Sequence, residues 1–385
     1  MKFYCPIPFY SLEINPKSKS KLCCVSGDTT PNKYDSWIEF WQGKEMNSIR
    51  ATLLDPDAKM LPNCKYCHAQ ETNGLNSMRR EEIKRKGIIT VPKRFPTELQ
   101  LKLSNICNLK CLMCSSSASD KWNDDVDLVS DLQKNARKLP VENFNLEESI
   151  QILNNFILNN KKLDKKLTLY GGEPLIHKKF WEHIETYDDN DLRYITLHVV
   201  TNATIFNLKI INTFTKFKRT YINLSIDGAG DFFEYTRYPA KWKLVEKNIH
   251  LFKNFMTVKD NINLTILNTI SSFSAPGLPE FLEFCKKYRL KYQLRPCIVD
   301  SFATDMDLSR SYSHPAILNS TIKNKILKNC KRYLTGQEFT FLNNLFNDVN
   351  FIDPYYQKNF DNYVARIDKI RNLHFYNLID QFLNE

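Results

Sequence analysis

From residue 96 to residue 295 the chain alternates short β-rich runs with longer helical ones, and few folds accept that rhythm. Glu98–Leu103, Lys166–Tyr170, Ile195–Thr201, Tyr221–Ile226, Asn263–Thr269 and Tyr292–Arg295 are short and rich in Leu, Ile, Val, Thr or Tyr, which predicts strands. Between them Leu146–Leu158, Lys178–Tyr187, Phe206–Phe217, Lys241–Phe255 and Leu278–Tyr288 carry helical spacing. Such alternation predicts an α/β fold of parallel strands joined by right-handed crossovers. The six units fit a partial (β/α)6 TIM-like barrel better than a closed eight-stranded one. In a barrel of this kind, function gathers at the C-terminal ends of the strands.

The residues of chemical interest fall at those ends. The first strand is followed by Cys107-Asn108-Leu109-Lys110-Cys111-Leu112-Met113-Cys114, three thiols on one short loop with no fourth close behind. Electron-transfer iron–sulfur clusters are tied down by four cysteines, so a cube held by three leaves one iron open, and an open position makes a metal site catalytic. A zinc loop is the competing reading, although zinc sites usually pair C-x2-C units. The second strand ends in Tyr170-Gly171-Gly172-Glu173-Pro174, in a chain with only 10 glycines. Glycines let backbone approach a ligand closely and proline sets the exit; an ordinary β–α turn is the bland alternative. The third strand runs into Asn202 and the fourth into Ser225-Ile226-Asp227-Gly228, where period-two alternation puts Ser225 and Asp227 on one side.

Together the C-x3-C-x2-C loop and the Gly-Gly-Glu-Pro run resemble the signatures of radical S-adenosylmethionine (radical SAM) enzymes. That resemblance implies a four-iron four-sulfur (4Fe-4S) cluster on Cys107, Cys111 and Cys114, with the open iron chelating the methionine end of S-adenosylmethionine. It implies that Glu173 and the backbone of Gly171 and Gly172 orient the cofactor's amino group. Asn202, Ser225 and Asp227 would serve its ribose and the substrate side, and Arg237 would meet its carboxylate, for which a guanidinium fork is suited. A surface arginine is the plain reading of Arg237, and Asn268 is a weaker site candidate. Met113 stands where the family usually has an aromatic residue; a thioether can cover the same apolar flank.

Five further cysteines precede the barrel: Cys5, Cys23, Cys24, Cys64 and Cys67. A lone C-x2-C such as Cys64–Cys67 can be redox-active, but no thioredoxin-like βαβ context surrounds it. Cys23-Cys24 is expected to close a hairpin around Asn15-Pro16-Lys17. These segments resemble the cysteine-bearing auxiliary module of SPASM/Twitch radical enzymes, which implies a second 4Fe-4S cluster on Cys5, Cys23, Cys64 and Cys67. Cys24 substitutes if Cys23 packs inward, since neighbours on a strand face opposite ways. His68 is a weaker candidate, and four thiolates suit zinc equally well. Cys285, Cys297 and Cys330 read as buried small apolar residues.

The expected layout is therefore an auxiliary cysteine-rich domain over 1–95, a barrel over 96–300 and a helical extension over 301–385. In the extension, Tyr363–Arg371 places apolar residues at helical spacing for docking on the barrel. Eleven cysteines without an apolar leader suggest metal ligation in a reducing compartment, so a cytoplasmic location is expected. No apolar run reaches the ~20 residues of a membrane span. The net charge of +11 is dispersed and matches no nucleic-acid module, so nucleic acid is the least supported partner. The resemblance implies cleavage of S-adenosylmethionine to a 5′-deoxyadenosyl radical that abstracts hydrogen from a peptide or protein, fed by an external donor such as flavodoxin or ferredoxin. A small-molecule substrate, or a non-catalytic metal-binding regulator, is the alternative.

Overall fold

The computed structural model describes residues 3–16, 20–24, 26, 36–72, 76–132, 137–141, 143–159, 162–297, 312–348 and 354–384. Eight strands form one sheet: β1 (Ser11–Ile14), β2 (Ser20–Lys21), β3 (Glu98–Lys102), β4 (Lys165–Tyr170), β5 (Ile195–Thr201), β6 (Arg219–Ser225), β7 (Ile262–Ile270) and β8 (Tyr292–Pro296). Their order is β2-β1-β3-β4-β5-β6-β7-β8. Every neighbouring pair is parallel except β1 with β2. The strands end within two residues of the expected bounds, and the sheet is the partial barrel that the β–α rhythm implies.

One element was not foreseen. β1 lies before residue 96 yet pairs in parallel with β3, Ser11 opposite Glu98 through Ile14 opposite Leu101, so the parallel set has seven strands instead of six. The expected hairpin exists as the β1–β2 pair, with Ile14 opposite Ser20; Lys17 of its turn, and residues 298–311 around the expected boundary at 300, lie outside the described residues.

Alternation decides what each face of the sheet meets. On β5, Ile195, Leu197 and Val199 are fully buried and their register partners Leu167, Leu169 and Ile222 join them. The helices Leu146–Leu158, Lys178–Glu185, Trp242–Thr257 and Leu278–Lys287 cover this face with Phe156, Trp181, Phe252 and Phe281. The other face carries half-buried Thr168, Tyr170, His198, Tyr221, Asn223 and Ser225. A parallel sheet is ordinarily apolar on both faces; here the inner face is polar. Lys165, buried at the start of β4, gives its ammonium to the carbonyls of Phe156, Ile157 and Asn159 and so closes the C-terminal end of the helix before it.

The extension adds helices Ser320–Cys330, Gly336–Phe346, Pro354–Arg371 and Phe375–Asn384. As expected, Tyr363, Val364 and Ile367 are buried; Tyr363 stacks on Tyr312 at 4.3 Å and packs against Phe273 after β7. No helix among the described residues is long and apolar enough to cross a membrane.

Candidate active site

The loop after β3 is held by groups from three directions. Cys107 N–H donates to Asp120 Oδ1 at 2.9 Å, and Trp122 Nε1–H donates to Cys111 O at 2.9 Å. Lys110 N–H and Leu112 N–H donate to Tyr238 O and Thr236 O at 2.7 and 2.9 Å. Ser119 Oγ–H donates to Leu109 O at 2.5 Å. These bonds tie the loop to the elements around it and restrict where the sulfurs point. Cys107 and Cys111 are buried and Cys114 half-buried. Burial, then the neighbouring Cys111, pushes the Cys107 thiol up to about 12. The Cys114 thiol donates to Cys111, which holds Cys111 below the ordinary thiol value.

The Gly171-Gly172 pair answers a demand made by that same loop. Both glycines have positive φ, +86° and +53°. A Cβ on Gly172 would lie 2.1 Å from Ile106 O, and one on Gly171 would lie 2.2 Å from Lys102 Cγ. Glu173 N–H then donates to Ile106 O at 2.9 Å. The pair is small so that the exit of β4 can lie flat on the residue before Cys107. Glu173 is fully buried; its Oε1 accepts from Thr201 Oγ1 at 2.7 Å and Leu175 N at 3.0 Å, its Oε2 from Asn202 N at 2.7 Å. Burial pushes its carboxyl up and these donors pull it back. A carboxylate has about four acceptor positions, so Glu173 is fixed in orientation with capacity left over.

Two side chains donate toward the sulfurs. Asn202 Nδ2 lies 3.8 Å from Cys107 Sγ and also donates to Asn108 Oδ1 at 2.9 Å. Arg237 Nη1 lies 3.8 Å from Cys111 Sγ, and its Nη2 pairs with Asp227 Oδ2 at 2.6 Å. Asp227 is fully buried and its Oδ1 accepts from Thr269 N at 2.8 Å; burial pushes its carboxyl up, opposed by Arg237. This differs from the expected pairing of Ser225 with Asp227. Ser225 closes β6 on the half-buried inner face, whereas Asp227 lies past the strand end and is committed to Arg237. Asn268 Nδ2 donates to Ile226 O at 3.0 Å, a backbone tie. Met113 takes a 3.7 Å contact from Ser271 Oγ and packs on the core.

The N-terminal cysteines converge as well. Cys5, Cys23, Cys64 and Cys67 line one pocket, together with Leu22 and Arg79. Burial pushes the Cys5 and Cys64 thiols up to about 12 and about 11. Cys24 turns away, its Sγ 3.7 Å from Met78 Sδ, and His68 sets its ring edge-on to Phe3 at 5.6 Å. Arg79 is anchored by Glu71 and by Tyr4 O. Among the described residues no three His, Cys, Asp or Glu side chains form the tight constellation that a single metal ion requires. Cys285, Cys297 and Cys330 are buried, as expected.

Sequence reasoning missed Asp120, Trp122, Thr201 and the pair formed by Ser104 Oγ and His177 Nε2 at 2.8 Å. Thr201, one residue before Asn202 at the end of β5, was the one with a usable positional signal.

Residues 101–273 match the model of the radical SAM superfamily. A Methanocaldococcus jannaschii protein named "Probable GTP 3′,8-cyclase" is 25% identical over 261 residues, covering 63% of this chain and 75% of that protein. An uncharacterized protein of the same organism is 25% identical over 241 residues, 61% of this chain and 71% of that one. Among solved structures, anSMEcpe with bound AdoMet aligns at 21% identity and a TM-score of 0.42 over 53% of each chain. Streptococcus suis SuiB bound to precursor peptide SuiA aligns at 16% identity and 0.40, over 78% of this chain and 59% of that one. The chain thus spans between half and three-fifths of those solved proteins. A cysteine loop at a parallel strand end, inside a segment that fits this superfamily, defines a radical SAM domain. Over residues 101–273 the chain is thus similar to radical SAM enzymes.

Proposed function

We propose that Cys107, Cys111 and Cys114 hold the catalytic 4Fe-4S cluster and that the enzyme modifies a peptide or protein. The observation that carries the cluster assignment is the pair of N–H donors, from Asn202 and Arg237, aimed at the sulfurs of Cys107 and Cys111. Hydrogen bonds to cluster sulfurs are a chief means by which protein sets cluster potential. A cluster held there would supply the electron for reductive cleavage of S-adenosylmethionine, the chemistry that permits hydrogen abstraction from a substrate. The chain's own residues would position the reactants: Glu173, with Gly171 and Gly172, would hold the cofactor amine, Asn202 and Ser225 would serve its ribose and the substrate side, and Arg237, paired with Asp227, would meet its carboxylate.

Cys5, Cys23, Cys64 and Cys67 would hold an auxiliary 4Fe-4S cluster, and their common cavity supports that reading. The peptide assignment rests on the SPASM/Twitch resemblance of this module, and the polar inner face of the barrel suits a substrate rich in amides. A low-potential donor such as flavodoxin or ferredoxin would supply electrons. A nucleotide substrate is the second reading, favoured by the relative named as a GTP cyclase.

The test is 5′-deoxyadenosine formation by anaerobically reconstituted protein given S-adenosylmethionine and dithionite, beside a Cys107→Ala/Cys111→Ala/Cys114→Ala variant. Product from the native protein alone is expected. No product at full iron content, with either candidate substrate present, overturns the reading. Deuterium passed to 5′-deoxyadenosine from labelled peptide or from labelled GTP separates the two substrate classes.

A further inference from the structure

Arg371 lies at the end of helix Pro354–Arg371, in the extension for which the sequence supplied no site motif, yet it is buried directly behind the cysteine loop. Its guanidinium lies 5.1 Å from the Trp122 ring centroid and 5.0 Å from that of Tyr238. Its Nη2 pairs with Asp125 Oδ2 at 3.2 Å, and Asp125 Oδ1 takes Lys110 Nζ at 2.8 Å. Each of these contacts leads back to the loop. Trp122 donates to Cys111 O, Tyr238 O accepts from Lys110 N–H, and Lys110 is a loop residue itself.

The charge balance there is unusual. Behind the loop the buried carboxylate of Asp125 is shared by two cations, Lys110 and Arg371; Asp124 approaches Lys110 at 3.6 Å but is 65% exposed and screened. Arg371 Nε and Nη1 have no hydrogen-bond partner among the described residues. A buried cation with incomplete pairing is unfavourable, and a negative group nearby offsets it. Arg237, the other buried cation at the loop, is already matched by Asp227.

We infer that Arg371 is a positioning residue of the cluster loop whose positive charge raises the reduction potential of the cluster on Cys107, Cys111 and Cys114. The inference rests on the proposed cluster assignment and extends it: the C-terminal extension becomes part of the cofactor site. Net charge near a cluster is one of the protein's levers on its potential.

The experiment is an EPR-monitored redox titration of reconstituted full-length protein, following the signal that changes on adding S-adenosylmethionine, which marks the cluster with an open iron. Arg371→Met is expected to lower the midpoint potential, and Arg371→Lys, which keeps the charge, to leave it near the native value. Asp125→Asn removes the shared carboxylate and is expected to raise it. An unchanged midpoint in Arg371→Met at full iron content overturns the inference, as does an equal shift in Arg371→Lys. If Arg371→Met does not fold, Arg371→Gln takes its place: a lowered midpoint supports the role and an unchanged one removes it. Native protein with no signal responsive to S-adenosylmethionine overturns the cluster assignment instead.

Discussion

The two cysteine sites are built in opposite ways. Three thiols of the barrel site come from eight consecutive residues at the end of β3, and polar groups surround them: Asp120, Asn202, Arg237 and buried Glu173. The four thiols of the N-terminal site come from three separated segments and sit among Ile7, Leu22 and Leu53, with Arg79 as the charged neighbour in the cavity wall. A site with donors aimed at sulfur can tune and use a reactive group; one lined mostly by apolar residues keeps a group dry and in place. The largest expected contrast follows. Cys111→Ala should cut 5′-deoxyadenosine formation by at least about 100-fold. Cys64→Ala should lower iron content while cofactor cleavage driven by dithionite persists. Equal loss of cleavage in both variants would erase the functional division between the sites.

The glycines sharpen the contrast from the barrel side. Gly172→Ala sets a Cβ 2.1 Å from Ile106 O at φ +53°, and backbone cannot swing away as a side chain can. A loss of roughly 3–5 kcal/mol in unfolding free energy is expected. Gly171→Ala sets its Cβ chiefly against the Lys102 side chain, with Ser104 O at 3.0 Å, and a side chain yields more than backbone, so a smaller loss of about 1–3 kcal/mol is expected. Denaturant midpoints of the two variants check the ranking; equal losses would mean that the approach to Ile106 is not what the pair provides.

How much of this was legible in the sequence follows from the same contrast. Strands β3 to β8 show through the regular β–α rhythm, and the cysteine loop, Glu173, Asn202 and Asp227 because each lies at or just past a strand end; Arg237, at the end of the short helix Gly230–Thr236, was singled out by the resemblance alone. β1 escaped: it is four residues long, no helix follows it in that rhythm, and its partner β3 is far along the chain. Trp122, Asp125 and Arg371 carry no local signature, since only tertiary packing brings them behind Cys111. The Gly-Gly pair was found but read one-sidedly. Its positive φ values and its contact with Ile106 show that it also seats the cysteine loop.

Glu98 joins the two halves, and its ionisation tests how firmly. Arg85 grips it with two 3.0 Å bonds, and Lys86 and Lys166 lie 2.8 and 3.4 Å away. Arg85 and Lys86 end helix Met78–Lys86 of the N-terminal region, while Lys166 belongs to β4. Burial opposes the charge, but Arg85 and then the lysines outweigh it and hold the carboxyl near about 2. A depressed carboxyl contributes stability above its unfolded value, near 4.5, and loses it as pH falls toward 2. The contribution is about 3 kcal/mol at neutral pH. The stability gap between native protein and Glu98→Gln should therefore be widest at pH 7 and narrow between pH 4.5 and 3. A gap that is flat with pH would mean packing, and not charge, joins the halves there.

The finest distinction lies within the N-terminal site, between neighbours Cys23 and Cys24. Strand alternation left either one as the fourth ligand, since it says that they diverge and not which turns inward. Cys23 lines the cavity with Cys5, Cys64 and Cys67, while Cys24 directs its sulfur to Met78. Cys23→Ala should accordingly lose one cluster's iron and its visible absorption, and Cys24→Ala should keep both. The effect of Cys24→Ala on stability should also be small, within about 0.5 kcal/mol, as for substitutions away from packed or buried polar groups. Iron analysis of the two variants in parallel decides it. Loss of iron from Cys24→Ala with retention in Cys23→Ala would reverse the ligand choice, and the Cys64–Cys67 pair would then close on the opposite side of the hairpin.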